Sequence, residues 1–148
     1  MLVLVFRAGA VDLAIRARQV IEVLPRMPLR ETSLAPSAVV GLLPYRGTLT
    51  PVVDLCLLVA GRPASAQLGT RIIVVRIGDG ATQRMVGLLA EDVSELLELG
   101  VTTPGLSLPE QPWLGAHLRD HPGLPQLVEP AELLPEALRA LFCHEAAP

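Results

Sequence analysis

The hydrophobic positions of the N-terminal segment alternate in short runs that predict paired β-strands. Residues 2–6 and 11–15 flank a small turn at 7–10, and a further apolar group follows at 20–24. Alternation of apolar and polar residues over such lengths is typical of half-buried strands. Three prolines within residues 25–38 then predict a loop, because proline cannot donate a hydrogen bond to a neighbouring strand.

The same pattern predicts two more hairpins. Their paired strands are residues 39–43 with 49–55, and residues 71–77 with 84–90. Gly47 lies in the first of these turns, and the residues Gly-Asp-Gly at 78–80 form the second. A separate apolar group is expected at 93–99. The small, polar residues at 61–69 have the composition of a linker.

The strand pattern repeats along the chain. Residues 86–90 lie 75 positions after residues 11–15 and have a similar apolar sequence. At the same offset, residues 127–130 follow residues 52–55, and each of these segments places a carboxylate after two apolar residues. Two β units of about 65 to 75 residues are each near the lower size limit for an independent core, so we expect them to pack together.

The repeat and the linker predict an all-β chain with two subdomains. The expected bounds are about 1–60 for subdomain one, 61–70 for the linker, 71–134 for subdomain two and 135–144 for a short C-terminal helix. Pro135 is well placed to open that helix, since proline is favoured at the first helical position.

Composition and charge exclude several classes of function. The 148 residues carry 12 basic side chains, all arginine, and 15 acidic ones, and no basic run with interleaved aromatics occurs. We therefore expect no nucleic-acid partner. No apolar run approaches the roughly 20 residues that span a bilayer, so no membrane insertion is expected. Cys56 and Cys143 lie in apolar segments, which favours buried thiols and a cytoplasmic location.

The sequence offers little support for catalysis, a metal or a cofactor. His117 and His121 have helical spacing for a metal pair, but Pro122 follows at once and makes a helix there improbable. No serine has the surroundings of a nucleophile elbow, and the glycine-containing turn at 78–80 lacks the lysine of a phosphate-binding loop. We therefore predict that the chain is not an enzyme and holds no cofactor.

The repeated carboxylates, Asp54 and Glu129, have two interpretations. They could act as an acid and a base, but each precedes a short helical stretch. A carboxylate at that position accepts hydrogen bonds from the free N–H groups of the first turn. Capping is therefore the favoured interpretation of both.

Two charged residues stand out from the strand pattern. Arg46 lies in a tight turn beside Gly47, between Pro44 and Pro51. The backbone of this turn is therefore expected to be rigid and to hold the guanidinium at the surface. Glu22 interrupts an apolar strand and faces away from its apolar neighbours. The bare sequence leaves open whether these side chains bind a partner or are merely solvated.

The segment 40–55, V-G-L-L-P-Y-R-G-T-L-T-P-V-V-D-L, resembles the signature of the CheW family of chemotaxis coupling proteins. The resemblance continues at residues 20–23, 86–97 and 127–134, in the order of the family. It implies two side-by-side, five-stranded SH3-like β-barrels without catalytic activity. It also implies an adaptor that joins the cytoplasmic tip of a chemoreceptor to the regulatory domain of a CheA-type histidine kinase in a bacterial signalling array.

By motif position, the resemblance assigns a set of residues to receptor binding. Glu22, Gly41, Arg46 and Gly47 would lie on the receptor side, and Val93 would border the groove between the barrels.

Two departures from the family pattern keep alternatives open. Pro44 and Tyr45 stand where the family usually has Asn-Leu, and Pro125 interrupts an apolar strand. The changed turn favours a specialised pathway, such as one for pili, surface sensing or cyclic-dinucleotide output, over flagellar chemotaxis. A stand-alone β-barrel pair that binds a small molecule is the alternative from another class.

Overall fold

Strands make up most of the regular structure of the chain. A computed structural model describes residues 1–32, 38–78, 83–105 and 114–132. The strands are β1 (Leu2–Ala8), β2 (Val11–Arg16), β3 (Val20–Pro25), β4 (Val39–Tyr45), β5 (Thr48–Asp54), β6 (Arg71–Ile77), β7 (Arg84–Glu98), β8 (Thr102–Thr103), β9 (Leu114–Leu118) and β10 (Gln126–Val128). Helix α1 covers Leu55–Ala60, and single 3-10 turns cover Ala17–Gln19 and Pro130–Glu132. The predicted mostly-β chain is confirmed.

The strands of the three predicted hairpins all pair, and the turn expected at 78–80 lies largely outside the described residues. Strands β1 and β2 pair antiparallel, as do β4 with β5 and β6 with β7. In the third hairpin Ile77 lies opposite Arg84, so the paired strands extend to the edge of the expected turn. Alternating apolar side chains thus located these strands correctly, because local pairing buries one face of each.

The sequence predicted a strand that ends at residue 90 and a separate apolar segment at 93–99, and this division is wrong. Strand β7 continues through it as a single element of 15 residues. Its first part pairs with β6 and β5, and its last part pairs with β1. Asp92 lies between these parts with a φ of 48°, a left-handed conformation that locally changes the direction of a strand. One long strand therefore connects two regions of the sheet.

The predicted repeat is visible in the strand pairings. Strand β5 pairs parallel with β7, Val52 opposite Gly87, and β10 pairs parallel with β2, Leu127 opposite Ala14. Likewise β3 pairs with β6, and the last part of β7 pairs with β1. Strands β3 and β5 of the first half thus pair with the second half, and the last part of β7 and β10 pair with the first half. Strand pairing therefore crosses the boundary expected at residues 61–70.

Two separate five-stranded barrels are not confirmed. The described strands form one sheet in the order β3-β6-β7-β1-β2-β10-β9-β8, with β5 and then β4 added beside β7. This path does not close on itself among the described residues. The C-terminal helix expected at 135–144 lies outside the described residues.

Each hydrophobic cluster of the core contains residues from both sides of the segment 61–70. A large cluster contains side chains of β1, β2 and β4 to β7, and a small one joins Val3 and Val5 to Ala14, Leu118 and Leu127. Strand β1 contributes to both, because successive side chains point to opposite faces of a strand. Leu4 and Phe6 face the large cluster. Burial on both faces makes β1 a central strand of the fold.

Candidate functional site

The turn between β4 and β5 presents a single arginine. Tyr45 and Thr48 are the last paired residues, so the loop consists of Arg46 and Gly47 alone. Their φ angles are 50° and 78°, both in the left-handed region, as the turns favoured in two-residue hairpins require. Glycine adopts this conformation without a steric cost. At Arg46 the conformation does carry a steric cost, which the long pairing of β4 with β5 offsets.

Three side chains meet at this turn and form what we name the Glu22–Tyr45–Arg46 cluster. The Tyr45 hydroxyl donates a hydrogen bond of 2.5 Å to Glu22 Oε1, and Arg46 Nη2 lies 3.6 Å from the same oxygen. The Arg46 guanidinium lies 5.0 Å from the centre of the Tyr45 ring, within cation–π range. The hydrogen bond to Glu22 raises the pKa of Tyr45, because it stabilises the protonated phenol.

Two residues assigned by the resemblance lie apart from this cluster. Gly41 is buried in β4, and an added Cβ would lie 2.7 Å from Leu29 Cβ and 2.9 Å from the Arg30 carbonyl oxygen. Val93 is 1% exposed and packs in the large core cluster. Gly41 and the Val93 side chain are both buried, whereas Glu22, Arg46 and Gly47 lie together and are exposed.

Comparison with known proteins identifies the family. The model of the CheW-like domain matches residues 2–121 of the chain. The chain belongs to the CheW-like domain family. No curated protein sequence matches it.

A solved structure shares the fold of this CheW-like chain. It is the crystal structure of the scaffolding protein TtCheW from Thermoanaerobacter tengcongensis, with a TM-score of 0.74 and 18% sequence identity. The match covers 86% of this chain and 82% of that one. The low identity means that the similarity extends to the fold alone.

Tyr45 is the member of the cluster that sequence reasoning missed. Its side chain is 8% exposed and belongs to the large core, with only the hydroxyl reaching Glu22. The sequence showed Tyr45 only as a departure from the family pattern. Its position next to Arg46 was the available signal, since a tyrosine at a strand end can bury its ring and still hydrogen-bond at the surface.

The predicted cap at Asp54 is confirmed. Asp54 Oδ1 accepts hydrogen bonds from the backbone N–H groups of Cys56 and Leu57, at 2.8 and 3.3 Å, and Oδ2 accepts from that of Ala64 at 2.9 Å. Its carboxylate therefore caps the first turn of α1 and also binds the segment that follows this helix, at Ala64. The carboxylate of Glu129 pairs with Arg16 Nη1 at 2.5 Å, which links β2 to the segment after β10, and its predicted capping role stays a prediction.

A second buried carboxylate, on β7, was not predicted. Glu91 accepts hydrogen bonds from the hydroxyl and the N–H of Ser65, from the N–H of Gly9 at 3.3 Å and from Arg62 Nη2 at 3.4 Å. The hydrogen bond from the Ser65 hydroxyl is the main reason that the pKa of Glu91 falls to about 2. Burial raises the pKa of the neighbouring Cys56 thiol to about 11. This network holds the linker against β7.

The two histidines each contact a backbone carbonyl oxygen close to them in sequence. His117 Nδ1 lies 2.8 Å from the Leu124 carbonyl oxygen and His121 Nδ1 lies 2.7 Å from that of Pro122, so each imidazole is bound to its own loop carbonyl. The described ranges contain no group of three or more His, Cys, Asp or Glu side chains able to hold a metal ion. Within the same ranges, no helix is long and apolar enough to cross a bilayer.

Proposed function

We propose that this CheW-like chain is a non-catalytic, cytoplasmic adaptor in a bacterial chemosensory array. It couples the cytoplasmic tip of a chemoreceptor to the regulatory domain of a CheA-type histidine kinase. Membership of the CheW-like family and the fold of a scaffolding protein support this proposal. The observation that carries it is the stiff mounting of Arg46, at a two-residue turn beside a carboxylate and an aromatic ring.

The cluster is suited to binding a partner without chemistry. The Arg46 side chain is 64% exposed, and its pairing with Glu22 at 3.6 Å is loose enough to exchange for a group of the receptor. A guanidinium that is already oriented loses little conformational freedom on binding. Glu22, Arg46 and Gly47 therefore form the proposed contact surface with the receptor.

In this proposal Gly41 and Val93 act indirectly. Gly41 leaves room for Leu29 and Arg30 to cross β4, where Arg30 and Leu42 exchange two backbone hydrogen bonds of 2.8 Å. The N–H of Val93 donates to the Gly69 carbonyl at 2.9 Å and thereby joins the linker to β7. Both residues would then support the packing of the fold without touching the receptor.

Charge reversal at Arg46 tests the proposal. The receptor tip and the kinase regulatory domain from the same organism are titrated calorimetrically against the wild type, Arg46→Glu and the matched control Arg71→Glu. Arg71 is exposed at the far end of β6. We expect Arg46→Glu to weaken receptor binding by at least about tenfold, with thermal unfolding nearly unchanged. Kinase binding and the Arg71→Glu control should match the wild type. Unchanged receptor binding by Arg46→Glu would refute the assigned site, and absence of binding to either partner would refute the adaptor.

The Tyr45 hydrogen bond favours a specialised pathway as the second candidate. A leucine, which the family usually has before Arg-Gly, could not hydrogen-bond to Glu22. The orientation of Arg46 in this chain therefore depends on a contact that the usual pattern lacks. Titration against tips of receptors from flagellar, pilus and surface-sensing arrays identifies the pathway by the tightest complex.

A further inference from the structure

A basic cleft opens on the side of the Arg46 turn where β6 ends and β7 begins. It has a volume of about 520 Å³, and Arg46, Arg76 and Arg84 line it together with Thr48, Ile21 and Met85. Ligand pockets typically have volumes of about 300 to 1,000 Å³. The β6–β7 hairpin positions two of the arginines, and the β4–β5 turn positions the third. The cleft is therefore built on the paired strands β4–β5 and β6–β7.

Among the described residues, carboxylates balance only part of the positive charge of the cleft. Arg76 Nη1 donates to the Arg18 carbonyl at 3.1 Å, and Arg84 Nη1 donates to the Gln83 carbonyl at 2.8 Å. These bonds orient the guanidinium groups but leave their charge in place. Among the ion pairs between described residues, neither Arg76 nor Arg84 has a carboxylate, and Arg46 has only the loose pair with Glu22.

Three like charges around one cavity repel each other, in a chain whose net charge is −3. An anion in the cleft relieves this repulsion. Guanidinium groups bind phosphate through two parallel hydrogen bonds each, and the oxygens of a diphosphate can accept from several arginines at once. The Thr48 hydroxyl adds one neutral donor, and Ile21 and Met85 supply apolar surface beside the charges.

We propose that this arginine cleft binds a small anionic ligand that carries a diphosphate group. Inorganic pyrophosphate and a nucleoside diphosphate share this chemistry. The apolar side chains of Ile21 and Met85 would strengthen binding of the nucleoside form by contact with its base. Because Arg46 lines the cleft, the bound anion competes with Glu22 for its guanidinium. The proposal does not depend on the adaptor function.

Calorimetric titration of the full chain with pyrophosphate and with ADP, at low ionic strength, tests the site. The variants are Arg76→Gln and Arg84→Gln, and Arg71→Gln is the control because it removes the same charge from β6 outside the cleft. We expect each cleft variant to bind about tenfold more weakly, Arg71→Gln to bind like the wild type, and added salt to weaken binding. Tighter binding of ADP than of pyrophosphate identifies the nucleotide as the ligand class, and equal binding identifies the diphosphate alone.

Several outcomes overturn the proposal. The first is that neither pyrophosphate nor ADP binds at millimolar concentration, although the unfolding temperature shows that the protein is folded. Another is equal weakening by Arg71→Gln, which would mean that the anion responds to overall charge. A third is binding of a glutamate-rich peptide but of neither diphosphate, which would assign the cleft to an acidic protein segment. None of these measurements uses the receptor or the kinase, so failure of the adaptor function leaves the test intact.

Discussion

Tyr45 and Glu22 are joined by a hydrogen bond of 2.5 Å between the phenol hydroxyl and Oε1, at the point where β4 ends beside β3. The ring belongs to the core, while the carboxylate is exposed. Because the same Oε1 atom lies 3.6 Å from Arg46 Nη2, the hydrogen bond connects the packing of the core to the position of the surface charge.

Replacement of Tyr45 by phenylalanine should keep the ring and lose this connection. We expect Tyr45→Phe to lower the free energy of unfolding slightly, because the hydrogen bond to Glu22 is lost while the ring keeps its packing. Urea unfolding measures the change. In a double-mutant cycle with Glu22→Ala, the double variant should be little less stable than the less stable of the two single variants. Fully additive losses would show that the two residues do not interact.

Glu91 makes stability depend on pH in the acid range. Its pKa is about 2 in the fold, against 4.5 for an ordinary glutamate, so the ionised form stabilises the native state. This contribution is complete above about pH 4.5 and disappears as the pH falls towards 2. Glu91→Gln should therefore be less stable than the wild type by up to about 3 kcal/mol at neutral pH, and the difference should shrink below pH 4.5.

Urea unfolding at several pH values measures this difference. Glu98→Gln is the control, because it removes an exposed carboxylate from the same strand. We expect it to change the unfolding free energy by no more than about 0.5 kcal/mol. A Glu91→Gln deficit that is constant from neutral to acid pH would contradict the assigned role of the charge.

Cys56 should be unreactive in the folded protein. It is fully buried, and burial raises its pKa to about 11, so almost no thiolate is present near neutral pH. Native protein carrying Cys143→Ser is treated with iodoacetamide, and the peptide containing Cys56 is followed by mass spectrometry. Alkylation should be slow, and rapid once urea is added. Fast alkylation of the native form would show that α1 opens readily.

Gly41 should tolerate no side chain. An added Cβ would lie 2.7 Å from Leu29 Cβ, closer than real carbon contacts. We expect Gly41→Ala to lower the free energy of unfolding by about 1 to 3 kcal/mol, since the backbone at Leu29 and Arg30 has to move. Gly47→Ala is the comparison, because an added Cβ there meets nothing within 4 Å and strains only the turn. Equal thermal stability of Gly41→Ala and the wild type would contradict the close approach.

Local features of the fold were predictable, whereas the pairing between distant strands was not. Alternation of side chains and turn residues determined the hairpins and the Asp54 cap, since each depends on neighbours within a few positions. The repeat at 75 residues was also readable. The sequence could not predict the pairing of β5 with β7 or of β10 with β2. Parallel strands are not joined by a short turn, so no local sequence pattern marks their pairing.

The candidate site shows the same difference between local features, which were predictable, and contacts between distant strands, which were not. Arg46 and Gly47 follow from their own turn, while Tyr45, Arg76 and Arg84 gain their roles from strands that are remote in sequence. Family resemblance gave Gly41 and Val93 as contact residues by position. It could not show that Leu29 covers the first and that the core encloses the second.

The exchange of strands between the two halves affects how the chain is made. On the ribosome, β3 and β5 emerge before β6 and β7, the strands with which they pair. The nascent N-terminal half therefore exposes unpaired strand edges until β10, which pairs with β2 and ends at Val128, has been synthesised. Productive folding of the whole molecule has to wait for that point, and a chaperone that shields open edges would be most useful just before it.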